Sequence, residues 1–262
     1  MDGRNEPVLL REDEGGVVRL TLNRPQARNA LSRALMTALE EELARVREDR
    51  LARVVVLAGA GPAFCAGHDL RELRAEPGRE SYERLFAQCS RLMQTITALP
   101  QPVIARVHGV ATAAGCQLVA TCDLAVAADY ATFSTPGVNI GLFCSTPMVA
   151  LSRNVGRKQA MEMLLTGDMV AAEEACRIGL VNQVVEPGKA QEEALALAAK
   201  IAKKSAAVVK LGKEAFYRQI EMNLADAYAY ASEVMVTNMM ARDAGEGISA
   251  FIEKRAPRWE DR

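Results

Sequence analysis

The chain has 262 residues, of which 50% are hydrophobic and 25% are charged, and its formal net charge is −1. This balance excludes a disordered chain and a basic nucleic-acid-binding domain. No apolar run reaches the roughly 18 residues of a membrane span, and the acidic amino-terminal segment has no secretory h-region. The six cysteines form no C-x-x-C pair, which predicts reduced thiols and a cytoplasmic protein.

Strands and helices are predicted to alternate over the first part of the chain. The predicted strands cover 17–22, 53–59, 102–109, 124–129 and 131–134, and the predicted helices cover 32–49, 80–99 and 113–121. Ser32 is the expected cap of the first helix, and GPAFCAGHDL at 61–70 is expected to be a loop. The alternation predicts an α/β domain.

The last third of the sequence predicts only helices, at 190–204, 206–220, 224–240 and 245–253. Tyr228, Ala231, Met235 and Met239 form an apolar stripe at helical spacing. Two interpretations of this stripe are open: it packs against the chain's own core, or it forms a subunit interface.

Only two histidines, His68 and His108, are available for catalysis or metal binding. A histidine-rich zinc site is therefore excluded, and no metal is expected. The sequence contains neither G-x-S-x-G nor G-x-x-x-x-G-K-[ST], which argues against serine-hydrolase and P-loop chemistry.

Two glycine-containing and alanine-containing loops are the candidate functional segments. AFCAGHDL (63–70) follows a buried strand, and HGVATAAGCQLVATCD (108–123) leads from a strand into a helix. Such loops can each offer one backbone N–H to the same substrate oxygen, as in an oxyanion hole. The alternative is that the small residues only allow close packing.

At these loops the sequence resembles the enoyl-CoA hydratase/isomerase (crotonase) family. The resemblance is carried by six segments in the family's order: LNRPQARNALS near the start, AFCAGHDL, PVIARVHGVATAAGCQLVATCDLAVAAD, TPGVNIGL, LLTGDMVAAEEACRIGLVNQVV and GISAFIEKRAPRW. It extends over nearly the whole chain.

The resemblance implies an α/β fold, a crotonase-like spiral of repeated ββα units with a carboxy-terminal helical trimerisation region. The implied division is a spiral core at 1–200 and an oligomerisation region at 201–262. The implied partners are an acyl-CoA thioester and further copies of the chain, as a homotrimer or a dimer of trimers, without nucleic acid or membrane. Coenzyme A would enter as part of the substrate, with no permanently bound cofactor.

The resemblance also implies roles for single residues. The oxyanion-hole amides fall on the backbones of His68 and Ala114, where the family usually has Gly at the second position. Residues expected to contact coenzyme A are Arg28, Ala30, Ala66, Asp69, Leu70, Phe251 and Lys254. The last two would reach the ligand from a neighbouring subunit. For Arg28 and Lys254 the alternative is a plain solvated charge.

The sequence departs from the family's hydratases at both catalytic glutamates. Gln117 stands at the first position and Gly137 at the second. A glutamine amide does not transfer protons near neutral pH, and glycine has no side chain. Efficient hydration is therefore doubtful, and isomerisation that depends on the second glutamate is disfavoured. If hydration occurs, Glu72 or Asp69 is the expected substitute base.

The remaining candidates leave the reaction open. His68 stands where methylmalonyl-CoA decarboxylase, another family member, also has a histidine. The alternatives are an acyl-CoA decarboxylase or thioester hydrolase that needs the oxyanion hole alone, and an acyl-CoA-binding protein with weak catalysis. Cys144 is a minor candidate nucleophile, and His108 is expected to have a structural role.

Overall fold

The computed structural model describes residues 6–262, which form two sheets surrounded by helices. The strands are β1 (Leu9–Glu14), β2 (Val17–Leu22), β3 (Val54–Gly59), β4 (Ala63–Cys65), β5 (Val103–Val107), β6 (Val110–Thr112), β7 (Leu124–Ala128), β8 (Thr132–Ser134), β9 (Val170–Ala171) and β10 (Gln183–Val185).

The helices are α1 (Arg33–Glu48), α2 (Leu70–Ala75), α3 (Arg79–Thr97), α4 (Ala114–Thr121), α5 (Pro147–Leu151), α6 (Arg157–Thr166), α7 (Ala172–Arg177), α8 (Ala190–Ala202), α9 (Ala206–Gln219), α10 (Leu224–Met239) and α11 (Arg242–Ile252). Two short 3₁₀ helices cover Pro25–Ala27 and Pro136–Ile140.

The two sheets are built by a repeated path of the chain. The larger sheet has the order β1-β2-β3-β5-β7-β10 and the smaller has the order β4-β6-β8-β9. Three times in succession a strand of the larger sheet is followed by a strand of the smaller one, as β3 and β4, β5 and β6, and β7 and β8. Helices separate these pairs, so the predicted spiral of ββα units is confirmed.

The core is aliphatic, as the low aromatic content requires. α1, α3 and α4 bury leucines and valines against one face of the larger sheet. On the other face α8 places Ala194 and Ala198 against Val54, Val56 and Ile104. Small side chains on α8 let the helix approach the sheet closely.

Several predicted elements differ from the structure. Ala63–Cys65, expected to be part of a loop, is strand β4. The predicted strand at 102–109 is β5, and the chain then passes at Gly109 to the smaller sheet, where Val110–Thr112 forms β6, a strand that was not predicted. β1 was not predicted, since LLREDE is acidic; it pairs antiparallel with β2 at the edge of the sheet, where charges stay solvated.

The carboxy-terminal helices were predicted correctly, but their apolar stripe is not covered by the chain's own core. No residue of α9 or α10 is fully buried. Tyr228, Met235 and Met239 are 69%, 55% and 52% exposed. The interpretation that the stripe packs against the core is therefore wrong for this chain by itself, and the subunit interface stays a prediction.

A buried ion pair fastens α9 to the core. Lys213 Nζ lies 2.6 Å from the carboxylate of Asp123 and also donates to the carbonyl groups of Ile96 and Gln101. The Tyr217 hydroxyl donates to the other carboxylate oxygen of Asp123 at 2.9 Å. Both charges are therefore satisfied inside the protein, which a buried pair requires.

The cysteines agree with the expectation from composition. All six cysteines are free, and five of them are buried. Over residues 6–262, none of the helices has the length and apolar character needed to cross a lipid bilayer.

Candidate active site

The two candidate loops touch each other in the smaller sheet. β4 and β6 are parallel neighbours, so the loops that follow them leave the same edge. A Cβ placed on Gly67 would lie 3.0 Å from Cβ of Ala113 and 3.4 Å from the backbone nitrogen of Ala114. The loops predicted from the sequence are therefore in van der Waals contact.

A short parallel ladder between Leu31 and the segment 67–69 directs the backbone N–H of His68 away from Leu31. Leu31 donates its N–H to Gly67 O at 2.7 Å and accepts from the N–H of Asp69 at 3.3 Å. In such a parallel bridge Leu31 uses both of its own peptide groups, so those of His68 point to the other side. Among residues 6–262 the N–H of His68 has no hydrogen-bond acceptor.

The backbone N–H of Ala114 also has no acceptor in the described part of the chain, because this residue begins α4. The first N–H groups of a helix have no partner within the helix. Ala113, which precedes it, has φ 50° and ψ −118° and provides no side-chain cap. This unusual backbone turns the chain sharply into α4 and leaves the Ala114 N–H at the positive end of the helix dipole.

α4 lies against β4 at a point where only glycine fits. A Cβ on Gly115 would lie 2.7 Å from the carbonyl carbon of Cys65 and closer still to its oxygen. All eight residues of α4 are buried. The run of small residues in the sequence therefore has a structural reason, and the same packing fixes the start of α4 next to the loop at 66–69.

The imidazole of His68 is a buried polar group without a partner. Both ring nitrogens are buried and neither forms a hydrogen bond within residues 6–262. The ring lies edge-on to Phe86 of α3, with 5.6 Å between centroids and 82° between planes. Burial lowers the pKa of His68 below its ordinary value, so the ring is neutral near pH 7.

The residues at the positions of the two glutamates offer no carboxylate. Gln117 is buried on α4, and its Oε1 lies 3.9 Å from Sγ of Cys89. Gly137 is buried in the second 3₁₀ helix, and a Cβ there would lie 2.9 Å from Leu142 O and 3.0 Å from Sγ of Cys144. The backbone of Leu142 and the thiol of Cys144 therefore occupy the space that the side chain of a second glutamate would need.

The carboxylates considered as substitute bases are engaged elsewhere. Asp69 forms an ion pair with Arg24 at 2.8 Å and caps α2 by accepting from the N–H of Arg71 at 3.1 Å. Glu72 accepts from the N–H of Arg33 at 3.0 Å. Both are therefore occupied in holding loops together.

The other nucleophile and base candidates have structural surroundings. Nε2 of His108 lies 2.7 Å from the carbonyl oxygen of Gly61, which fits the structural role expected for it. Cys144 is buried, and burial raises the pKa of its thiol. The thiol is therefore protonated near neutral pH, which disfavours it as a nucleophile.

Comparison with known proteins identifies the fold family. The model of the enoyl-CoA hydratase/isomerase family matches residues 12–262. The rat protein named enoyl-CoA hydratase domain-containing protein 3, mitochondrial, is 48% identical over 256 residues, which cover 97% of this chain and 85% of that protein.

The chain belongs to the enoyl-CoA hydratase/isomerase family.

Two solved structures of the family support this assignment in three dimensions. The enoyl-CoA hydratase of Mycobacterium smegmatis is 60% identical, with a TM-score of 0.95 over 97% of this chain and 99% of that chain. The human enoyl-CoA hydratase domain-containing protein 3 is 46% identical, with a TM-score of 0.93 over 96% of this chain and 100% of that chain. The crotonase resemblance stated from the motifs is confirmed.

Most of the residues expected to contact coenzyme A lie together. The exposed Arg28 has φ 49°, and its carbonyl oxygen accepts from the N–H of Ala66 at 3.0 Å. Ala30 is buried directly before Leu31, the partner of His68 in the ladder. Leu70 is 51% exposed at the start of α2. Asp69 differs from the other residues of this group, because its carboxylate already forms an ion pair with Arg24.

Phe251 and Lys254 are not part of this arrangement within one chain. Phe251 is 85% exposed in the last turn of α11. Lys254 lies two residues after the end of this helix and has φ 55°. In the part of the chain that the structure describes, Lys254 forms no ion pair, and no hydrogen bond joins either side chain to the loops at 28–30 and 66–70. Their expected contribution from a neighbouring subunit stays a prediction.

Sequence reasoning missed the residues that hold the loops. Arg24 and Asn29 lie in the segment LNRPQARNALS, where the sequence predicted roles only for Arg28, Ala30 and Ser32. The fully buried Asn29 donates to Ala60 O and Ala63 O, both at 2.8 Å. An asparagine and an arginine next to a Pro turn are signals of such backbone bonding, but the acceptors are far away in sequence.

Proposed function

We propose that this protein is an enzyme that binds acyl-CoA thioesters and stabilises a thioester enolate or oxyanion through the backbone amides of His68 and Ala114. The observation that supports this most directly is that these two N–H groups, which have no acceptor among residues 6–262, lie on loops that touch at Gly67. Preorganised amides of this kind stabilise negative charge as it develops on a carbonyl oxygen. Membership in a family that acts on acyl-CoA thioesters supports the substrate class.

Efficient hydration is not part of the proposal, because proton transfer lacks its two expected groups. Each positioned acid or base typically contributes about 10²–10⁴-fold to the rate. With Gln117 and Gly137 in place, we expect crotonyl-CoA hydration to be slower than in an efficient hydratase by about 10³-fold or more.

Decarboxylation is the second candidate, and the unpartnered ring of His68 favours it. In this reaction the bond between Cα and a carboxylate breaks, carbon dioxide leaves, and the electron pair forms an enolate whose oxygen the two amides hold. A proton from water then returns to Cα. Because the His68 ring is neutral, its N–H is suited to donating a hydrogen bond to a polar acyl substituent or to the delivering water.

Assembly into a trimer or a dimer of trimers belongs to the same proposal. The exposed stripe on α10 provides an apolar surface, and we expect the exposed Phe251 and Lys254 to contact coenzyme A bound by a neighbouring subunit. The cytoplasmic compartment predicted from the sequence stays a prediction, to be checked by cell fractionation. The rat relative is named as a mitochondrial protein.

A substrate screen tests the proposal. The full-length protein is given crotonyl-CoA, methylmalonyl-CoA and saturated acyl-CoAs, and loss of enoyl absorbance, release of carbon dioxide and release of free thiol are followed. Calorimetry measures the affinity for each thioester. Turnover without efficient hydration supports the proposal. Hydration at the rate of an ordinary hydratase contradicts it, and tight binding without any turnover favours an acyl-CoA-binding protein.

A further inference from the structure

The ladder between Leu31 and His68 is held by one guanidinium group. Nη2 of Arg24 donates to Asp69 Oδ2 at 2.8 Å, directly after His68 in the chain. Nη1 of the same group donates to Ala30 O at 2.6 Å, directly before Leu31. Arg24 therefore bonds to both sides of the two-stranded ladder that sets the direction of the His68 N–H.

The clamp is shielded from solvent and fixed at its base. The side chains of Arg24 and Asp69 are 22% and 12% exposed. The backbone N–H of Arg24 donates to Oδ1 of Asn29 at 2.9 Å, and its carbonyl oxygen accepts from the N–H of Asn29 at 2.9 Å. The side chain of Asn29 in turn donates to the carbonyl groups of Ala60 and Ala63, so the turn at 24–29 that carries the guanidinium is held in place.

The carboxylate of Asp69 is charged under ordinary conditions. Burial disfavours its ionised form, but the hydrogen bonds from Arg24 and from the N–H of Arg71 outweigh burial and lower the pKa of Asp69 below its ordinary value. The contact with Arg24 is therefore a charge-assisted hydrogen bond, which is roughly twice as strong as a neutral one.

We propose that Arg24 is a positioning residue of the oxyanion site: by clamping Asp69 and the Ala30 carbonyl, it fixes the direction of the His68 amide. This inference rests on the proposed function, because it assumes that the amide binds the thioester oxygen. Small errors in the position of such a donor are costly, since preorganisation is the source of its effect.

The test uses acetoacetyl-CoA, whose enolate absorbs in the near ultraviolet and reports stabilisation of the oxyanion without turnover. With the wild-type protein we expect the enolate fraction to rise on binding. In Arg24→Gln we expect the enolisation constant of the bound thioester to fall about tenfold or more. The affinity for coenzyme A, which has no carbonyl group at this place, is expected to stay within about twofold of wild type.

Arg33→Gln is the matched control. Arg33 forms an ion pair with Glu76 at 2.9 Å and ties α1 to the segment after α2, but its side chain does not contact the ladder at His68. We expect this variant to keep the wild-type enolate fraction. A thermal melt of each variant shows whether an effect follows from loss of folded protein.

Asp69→Asn tests the other end of the clamp and guards against misfolding of Arg24→Gln. Asparagine still caps α2 well but removes the charge that Arg24 binds. A clear fall of the enolate fraction in folded Asp69→Asn supports the inference. Wild-type enolate fractions in the folded variants at both positions overturn it. Failure of the wild-type protein itself to raise the enolate fraction overturns the proposed function instead.

Discussion

Gly115 packs its Cα against the carbonyl group of Cys65, in the space that any side chain at residue 115 would need. We expect Gly115→Ala to destabilise the fold by about 3 kcal/mol, because the contact is with rigid backbone rather than with a movable side chain. Urea unfolding measures the change.

Gly245→Ala is the control for this prediction. Gly245 lies inside α11 with no atom within 4 Å of an added Cβ. Alanine there is expected to stabilise the helix by roughly 0.5–1 kcal/mol. Equal effects of the two substitutions would contradict the close contact between α4 and β4.

Restoring hydratase activity is expected to require space for a side chain at residue 137 as well as the two glutamates. Gly137→Glu alone should destabilise the protein, because its Cβ meets Leu142 O and Cys144 Sγ. Combining Gln117→Glu and Gly137→Glu with Cys144→Ala should raise crotonyl-CoA hydration by about tenfold or more over either glutamate alone, since the two groups act as a unit. Loss of enoyl absorbance gives the rate.

The comparison variant is Gln117→Glu with Cys144→Ala, which lacks only the second carboxylate. If this variant hydrates crotonyl-CoA as fast as the triple variant, residue 137 has no part in proton transfer in this chain.

Stability is expected to fall on the acid side of neutrality because of the two half-buried histidines. Burial lowers the pKa of both His68 and His108 below the ordinary 6.5. As the pH falls below this value the unfolded chain takes up protons at these rings before the folded protein does, so the free energy of unfolding decreases from about pH 6.5 down to the lowered pKa values. Urea midpoints at about pH 7.5 and about pH 5 measure the decrease.

Replacing one ring should remove its part of the decrease. His68→Gln is expected to give a smaller change in midpoint between the two pH values, and His108→Gln serves as the comparison with the second ring. An unchanged pH dependence in both variants would show that other groups cause it.

Arg28 is expected to contribute a charge-assisted contact to a phosphate of coenzyme A. Arg28→Ala should weaken coenzyme A binding by roughly 0.5–2 kcal/mol, measured by calorimetry. Lys254→Ala should do the same if the neighbouring subunit completes the site. Arg50→Ala is the control, because Arg50 is also exposed but lies in the turn after α1, away from both candidate loops.

The stripe on α10 is expected to bury itself against another copy of the chain. Sedimentation at micromolar concentration should give a trimer or a larger assembly, and Met239→Lys should shift it toward the monomer, because a lysine charge buried within an apolar contact is costly. Leu51→Lys places the same charge on a residue that is 82% exposed in the turn after α1, and should leave the assembly intact. A monomeric wild-type protein would contradict the prediction.

Periodic patterns in the sequence predicted the regular elements well. VVRLTL forms β2 over the expected residues, and Ser32 caps α1 by accepting from the N–H of Leu35. These features depend on neighbours in the chain, so they can be inferred locally. The acidic strand β1 could not be predicted, because its place in the sheet depends on pairing with β2.

The candidate site shows the same division between local and distant information. The motifs identified the loops at His68 and Ala114, but the contact of Gly67 with Ala113 depends on how two sheet strands lie side by side. The ion pair of Arg24 with Asp69 joins residues 45 positions apart. Neither the clamp nor the isolation of the His68 ring against Phe86 has a signal in composition or spacing.

The complete burial of α4 has a consequence for how this protein can fluctuate. A helix whose eight residues are all covered does not open by fraying, so the amide hydrogens that are bonded within it, from Gln117 onward, should exchange with solvent only when the whole core opens. The N–H of Ala114 is the first of that helix and therefore keeps its aim for as long as the protein is folded. Any mutation that lets the Ala114 N–H change direction would also disturb the packing of the core around α4. The orientation of this amide and the free energy of unfolding are therefore expected to change together.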